Sequence, residues 1–568
     1  MSNRRATFEL QVLVAKNWTV RNLYDDEETA KQAAEQDLKS GRVEGVRILR
    51  LWKRADGEHA EKQVFEKMGA VKPLRDVRIT PVESAPMCRE EAEFLGHDSL
   101  ALMARLFRKY LDETCLTPTE VLHVWREYQR IWDTESIVMA GVDRVALVQT
   151  RGSEMLPKTR GEEIYRAIEG IGARARRADR RKNLPRRIGT RFGVVLRDED
   201  AADPFDGTFA ATVVLARDLA ERRDWLGKLD RLGELLAAET DAEARAILDS
   251  VAAQVFMSRD VLIDALGPRH NLAAAIEALL PLLAGGAPGF DAAMPRRETF
   301  VAGLKAGALP LLRATLVERC LKMVAGPGEL SRFDPTREDA CFRTLANRLI
   351  GPSAVVEGEA AALALLERAG TFVVEGGVTG RKRALDWLLM ALDGAARRIA
   401  LLRCLDAPLT HEPEVRGAAF EALRRTVEGA ALADLAPGQG DPLAPLAVAA
   451  DLSRWLARRF PPKAAQPVCA HLDALSAEHL VTHRVIERID HPELALADRA
   501  TRLLGFLLSG TLTEGRATDL ARSRIRDHLK RPDFVEAFAA GFADAAACER
   551  GLRELHAMMT RAGISANV

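Results

Sequence analysis

Apolar and polar residues alternate from Phe8 to Val14, with Phe8, Leu10, Val12 and Val14 falling on one side of the chain. A period of two predicts a half-buried strand. Lys16-Asn17 predicts a turn, and Trp18-Thr19-Val20 resumes the strand pattern. Asp25 followed three residues later by Glu28 has the spacing of a capping box. Ala30, Ala33, Ala34 and Leu38 then recur at helical intervals up to Gly41, which stands where a C-cap glycine belongs. Val46 to Trp52 predicts a third strand, Asp56-Gly57 a tight hairpin turn, and Lys62 to Phe65 a fourth strand. The pattern therefore predicts a small ββαββ module over residues 1–68, one helix packed on an antiparallel sheet.

The period then changes. Residues 69–93 carry Pro73, Pro81 and Pro86 with little helical pattern and read as a linker. Beyond them the chain reads as mainly α. Thr117-Pro118-Thr119-Glu120 has a capping threonine, proline at the first helical position and glutamate at the third. Thr240 with Glu243, and Asp533 with Glu536, repeat the capping spacing. Trp225, Leu229, Leu232 and Leu236 share a helical face, as do Leu385, Leu389, Leu392, Ile399 and Leu402 on a later helix; Phe534, Phe538 and Phe542 recur every fourth residue. Such stripes predict core packing. The expected organisation is a helical region over 94–192 ending in a basic tract, a helical body over 208–435 and a C-terminal helical region over 443–568. Breaks are expected near Gly285 to Pro295 and, more strongly, across Ala436 to Pro442, which combines two prolines and two glycines. Short glycine- or proline-containing turns suit stacked helical hairpins, but no signature recurs at a fixed period, so a solenoid and a set of bundles both fit.

Composition narrows the class. In 568 residues, hydrophobic residues are 47% and charged residues 29%, which is globular rather than disordered. Lysine plus arginine number 82 and aspartate plus glutamate 82, so no overall polybasic or acidic character exists to recruit a partner. The N-terminal sequence has no apolar run of the signal-peptide kind, and no stretch approaches the ~20 apolar residues of a membrane span. Seven scattered cysteines without a Cys-x-x-Cys spacing read as buried thiols in a reducing compartment. A cytoplasmic location is the expectation.

Charge is nevertheless segregated in one place. Arg174, Arg176, Arg177, Arg180, Arg181, Lys182, Arg186, Arg187 and Arg191 crowd one short stretch, opposed within it only by Asp179. Such a density of guanidinium groups suits phosphates or an acidic partner. Only Phe192 is at hand as a stacking aromatic, and Asp198, Glu199, Asp200, Asp203 and Asp206 follow directly, so internal pairing competes with ligand binding. Arg174, Arg176, Arg177, Arg180, Arg181, Lys182, Arg186 and Arg187 are the candidate anion- or partner-binding residues.

Other motifs are incomplete. His479 and His483 are four apart and could share a metal, with His471, His491 and Cys469 nearby, but the glutamate of a His-Glu-x-x-His site is missing. Gly376-Gly377-Val378-Thr379-Gly380-Arg381-Lys382 follows the strand-like Phe372-Val373-Val374 without the spacing of a phosphate loop, and reads as a glycine-rich turn before a helix. Asp198-x-Asp200 lacks the later ligands of a calcium loop, and His97-Asp98 stands alone. No catalytic residue, metal ligand or cofactor is assigned. The expected function is a non-enzymatic helical scaffold or adaptor that binds a protein partner. A nucleic-acid-associated regulator using the arginine tract and an unfamiliar all-α metal-dependent enzyme are the alternatives.

Overall fold

The computed structural model describes residues 7–14, 17–39, 43, 45–53, 59–68, 79–134, 136–332, 334–438 and 440–564. The chain is 67% helical, with a small four-stranded antiparallel sheet at its N-terminus followed by a long helical body. It divides into two compact units, Met1–Pro268 with Gly285–Val317, and Arg269–Ala284 with Glu318–Val568.

In the first unit β1 (Thr7–Val14), β2 (Asn17–Tyr24), α1 (Glu27–Lys39), β3 (Gly45–Lys53) and β4 (His59–Met68) build the expected ββαββ module. The strand order is β2-β1-β3-β4. Register pairs Leu10 with Ile48 and Val12 with Val46, so these four side chains share the face that α1 covers. Ala30 and Ala34 of α1 are fully buried against them, small enough to let the helix lie close to the sheet. The helix starts one residue later than the Asp25–Glu28 spacing suggested. Asp26 accepts from the Thr29 amide and hydroxyl at 2.7 Å each, and these hydrogen bonds hold its carboxyl below the ordinary range. The Asp56-Gly57 turn, Lys16 and the Gly41 cap lie outside the described residues.

The prolines expected to mark a linker are placed in part. From Ile79 the chain lies against helices: Val82 is buried, its carbonyl accepts from Arg144, and the Cys88 carbonyl accepts from the buried Arg160. Residues 69–78 are outside the described set.

Thr117 does cap the Pro118–His123 helix, with the reciprocal Glu120 bond to the Thr117 amide at 2.8 Å. What local spacing did not show is that the whole box is buried. Glu120 also receives the ammonium of Lys228 from the Trp225–Ala238 helix, and both side chains are fully excluded from solvent. Lys228 donates further to the Leu219 carbonyl at 2.8 Å, and Thr119 bonds Gln254 through both its amide and its hydroxyl. One turn on, His123 is buried with its ring 4.5 Å from that of Phe209. Burial pushes its imidazole down from 6.5 to about 4, helped by the nearby Arg174 charge and opposed by the Thr119 carbonyl bond.

This depressed value makes a pH prediction. The unfolded imidazole takes up its proton near pH 6.5 and the folded one only near 4, so the unfolded state binds more protons between them. Stability is complete above 6.5 and lost as pH falls. Between pH 7 and 5 the loss is about 2 kcal/mol. Denaturant titrations at the two pH values check it: His123→Phe should flatten the difference, and an unchanged slope in that variant assigns the dependence elsewhere.

The other capping spacings shift. The Ala242–Phe256 helix is capped by Asp241, whose carboxylate accepts from the Glu243 and Ala244 amides, and Thr240 instead receives Arg191. Asp533 precedes the Phe534–Ala539 helix but makes no side-chain cap bond; it pairs with Arg531 at 2.9 Å. Aspartate one position nearer the helix outcompetes threonine at 240 because its charged oxygen also favours the positive end of the helix dipole.

The second unit decides between solenoid and bundles for its own residues. Leu385, Leu389 and Leu392 do not share one helix with Ile399 and Leu402. The chain breaks after Ala391, where Leu392 is the extended C-cap and Gly394 takes φ +80°; all five side chains are buried, Leu385 and Leu389 on the Gly377–Ala391 helix and Ile399 and Leu402 on the Gly394–Leu405 helix. These pack as members of a layered array. The helices Glu338–Leu349, Gly377–Ala391, Pro413–Glu428, Pro462–Thr482 and Arg516–Leu529 each pack on the next of this set. Between them Gly358–Gly370 packs on Gly394–Leu405, and each also pairs with the helix that follows it. That is the arrangement of stacked helical hairpins. The hairpins begin unevenly, at Gly358, Gly394, Ala444 and Leu496, which is why no fixed sequence period marks them. Phe372-Val373-Val374 is not a strand but a turn between helices. Phe372 stacks on Trp387 at 4.1 Å, and Gly376 begins the following helix as expected of a glycine-rich turn.

Candidate anion-binding groove

The basic tract begins at the end of the Pro157–Arg180 helix in the first unit, which carries Arg174, Arg176, Arg177 and Arg180, while Arg181, Lys182, Arg186, Arg187 and Arg191 lie in the segment that follows. Pro157 opens it at the first helical position, and Gly161, Ile164, Ile171, Gly172, Ala175 and Ala178 form its buried face at helical spacing. The four helical arginines therefore lie off the buried face, and the basic residues of the whole tract divide into two groups.

The first group is internally paired. Arg174 donates to Asp206 at 2.7 Å and Glu91 at 3.0 Å, with its guanidinium 4.1 Å from the Phe209 ring centre. Arg181 meets the buried Glu199 at 2.7 Å, and Arg187 meets Glu221 at 2.6 Å. Arg191 donates to Thr240. The acidic segment after the tract thus supplies two of the partners, Glu199 and Asp206. Asp198 and Asp200 lie within the Phe192–Ala202 helix, which places them outside any calcium-loop geometry.

The second group faces solvent. Arg176, Arg177, Arg180, Lys182 and Arg186 are exposed. Arg177 has only a 3.9 Å approach to Asp206, whose closer contact is with Arg174. Among the described residues no carboxylate lies at ion-pair distance from Arg176, Arg180, Lys182 or Arg186.

Aromatic groups do meet this second group, contrary to the sequence expectation. Phe192 is fully buried and unavailable. Instead the Trp125–Trp132 helix brings Trp125 beside the tract, where the Arg176 guanidinium lies 5.6 Å over its ring. Trp125 stacks on Tyr128 with ring centres 5.5 Å apart, and the Tyr128 hydroxyl donates to the Ile168 carbonyl at 3.2 Å. Gly172 permits this approach, because a Cβ there would stand 2.4 Å from the tyrosine ring. Trp125, Tyr128, Glu169, Arg176, Arg177 and Arg180 line a groove of about 390 Å³. On the other side of Tyr128 lies an apolar cavity of about 110 Å³, whose lining includes Leu102, Phe107, Ile131, Val142 and Ile164 and no charged side chain. The groove, not the cavity, has groups able to hold an anion. Two tryptophans and a tyrosine within eight residues, in a chain only 5% aromatic, were visible in the sequence; their neighbour was not.

The histidines converge only in part. The His479 and His483 rings are 4.2 Å apart, and His479 Nε2 is engaged by the Pro442 carbonyl at 2.9 Å. Burial, with the neighbouring His483 charge, lowers the His479 pKa against the opposing effect of that carbonyl. Among the described residues no group of three or more His, Cys, Asp or Glu side chains is placed to hold a metal ion. In the glycine-rich turn Arg381, Lys382 and Arg383 pair with Glu412, Glu414 and Glu375. Among the described residues no single helix is long and apolar enough to cross a membrane.

No protein-family model, curated protein or solved structure matches the chain.

Proposed function

We propose that this protein is a non-enzymatic helical scaffold or adaptor of the cytoplasm that mediates protein–protein interaction. The observation that supports this reading is the layered hairpin array of the second unit. Stacking each hairpin only on its neighbours leaves an extended surface along the array, the kind of surface on which partner segments dock.

Affinity purification of the full chain from its native host, with mass spectrometry of what is retained, tests the proposal. The expected result is a reproducible protein partner that survives nuclease treatment. Recovery of no enriched protein, or enrichment that nuclease abolishes, overturns it.

A further inference from the structure

The groove along the Pro157–Arg180 helix has a chemistry that scaffolding does not use. The geometry points to a nucleotide site, in which an aromatic base lies against Trp125 and Arg176 and the phosphate is held by Arg177 and Arg180. Three observations carry this. Trp125 is only partly buried, and its indole is stacked on Tyr128, which is itself anchored to Ile168, so the aromatic surface is preorganised. Arg176 rests over the same indole at 5.6 Å. An exposed cation–π contact is worth only about 0.5–1 kcal/mol, whereas stacking of a base is worth about 1–3 kcal/mol. A base therefore gains by stacking upon the guanidinium beside the indole. Finally, Arg177 and Arg180 project from the same helix into a groove of about 390 Å³, within the size range of small-ligand pockets.

Glu169 sets the polarity. It lines the groove about two to three turns before Arg177 and Arg180 on the same helix. A carboxylate accepts hydrogen bonds and repels phosphate, so the base edge, with its amino or ring N–H donors, belongs at the Glu169 end and the phosphate at the Arg180 end. An acidic peptide could satisfy the arginines but would face Glu169 with like charge and would make no use of the indole. Lys182 and Arg186, which follow the helix end, are also exposed. A free nucleotide and one unit of a single strand present the same base and phosphate.

Fluorescence anisotropy with the full chain and a short labelled single-stranded RNA tests this, with adenosine monophosphate and a polyglutamate peptide as competitors. Neutralising the phosphate held by Arg177 and Arg180 gives a salt dependence of about 2- to 3-fold per phosphate between roughly 50 and 200 mM salt. Arg177→Glu with Arg180→Glu should weaken binding by at least about tenfold. Trp125→Leu and Arg176→Gln should each weaken it by about fivefold or more, at unchanged circular dichroism. If Trp125→Leu does not fold, Arg176→Gln, on an exposed side chain, still reads the stacking. Competition by the mononucleotide at concentrations comparable to the RNA identifies a free nucleotide as the source; failure of the mononucleotide while RNA binds identifies the strand. Absence of RNA and mononucleotide binding at low salt overturns the inference. So does binding that ignores the Arg177 and Arg180 reversals, or equal competition by polyglutamate with no loss in Trp125→Leu and Arg176→Gln, which marks an acidic partner instead.

Discussion

Replacing Lys228 by methionine should destabilise the first unit by about 3–5 kcal/mol, because it leaves Glu120 charged and buried without its counter-ion. The pair is fully excluded from water. Glu120 keeps its bonds from the Thr117 amide and hydroxyl at 2.8 Å each, but neutral donors do not replace an ammonium. The Leu219 carbonyl loses its donor as well. The double variant Glu120→Gln, Lys228→Met removes both charges and should recover most of the loss, since well-packed neutral replacements of a buried pair are often neutral in cost. Hydrogen exchange of the amides in Pro118–His123 and Trp225–Ala238 reports this locally, without requiring the two units to unfold together. If the double variant exchanges as fast as Lys228→Met, the cost lies in lost packing and not in an orphaned charge.

Asp490→Ala should be comparably severe in the second unit. The carboxylate is buried at the end of the Val485–Ile489 helix and gathers three cationic or hydrogen-bonding groups from two later helices. Arg499 donates at 2.7 Å, His528 Nε2 lies at 2.8 Å and Arg524 completes the set. His528 is itself buried, so removal of Asp490 strands it beside two arginines, again at about 3–5 kcal/mol. Burial alone would raise the Asp490 pKa, but the bonds from Arg499, Arg524 and His528 outweigh it and hold the carboxyl below 3.8. A depressed carboxyl contributes fully above its unfolded value and loses that contribution as pH falls through the folded one. The stability gap between wild type and Asp490→Asn should therefore be constant at neutral pH and narrow below about pH 4. Urea titrations across that range check it, and a gap that widens in acid contradicts the assigned sign.

The ββαββ module could be read from the chain because its information is local. Alternation at Phe8, Leu10 and Val12, and the Ala30–Ala34 spacing, each specify a face without reference to anything distant. Capping spacings locate helix starts to within a residue. At Asp26 and Asp241 the side chain nearer the helix took the role, a competition between adjacent hydrogen-bonding groups that spacing alone does not rank. The Leu385–Leu402 stripe predicts a single face although the helix breaks before Gly394, because burial continues across the bend. The arginine tract is conspicuous as a count, yet nothing in its own residues separates Arg174 and Arg181, which meet Asp206 and Glu199 closely, from Arg176 and Arg180, which meet neither, and Arg177, which reaches Asp206 only at 3.9 Å.

Amphipathic period and capping chemistry, properties of neighbours within a few residues, were enough to specify a mainly helical chain with one small sheet, and the place where its charge is segregated. Pairing across long separations was not contained in those patterns. Lys228 finds Glu120, and Trp125 finds Arg176, only once intervening helices have packed. Both pairings follow from which helix faces are driven together by burial of apolar surface, an effect without direction along the sequence. The folded chain thereby turns one conspicuous lysine-free capping box into a buried ion pair, and one basic tract into a groove with an aromatic wall.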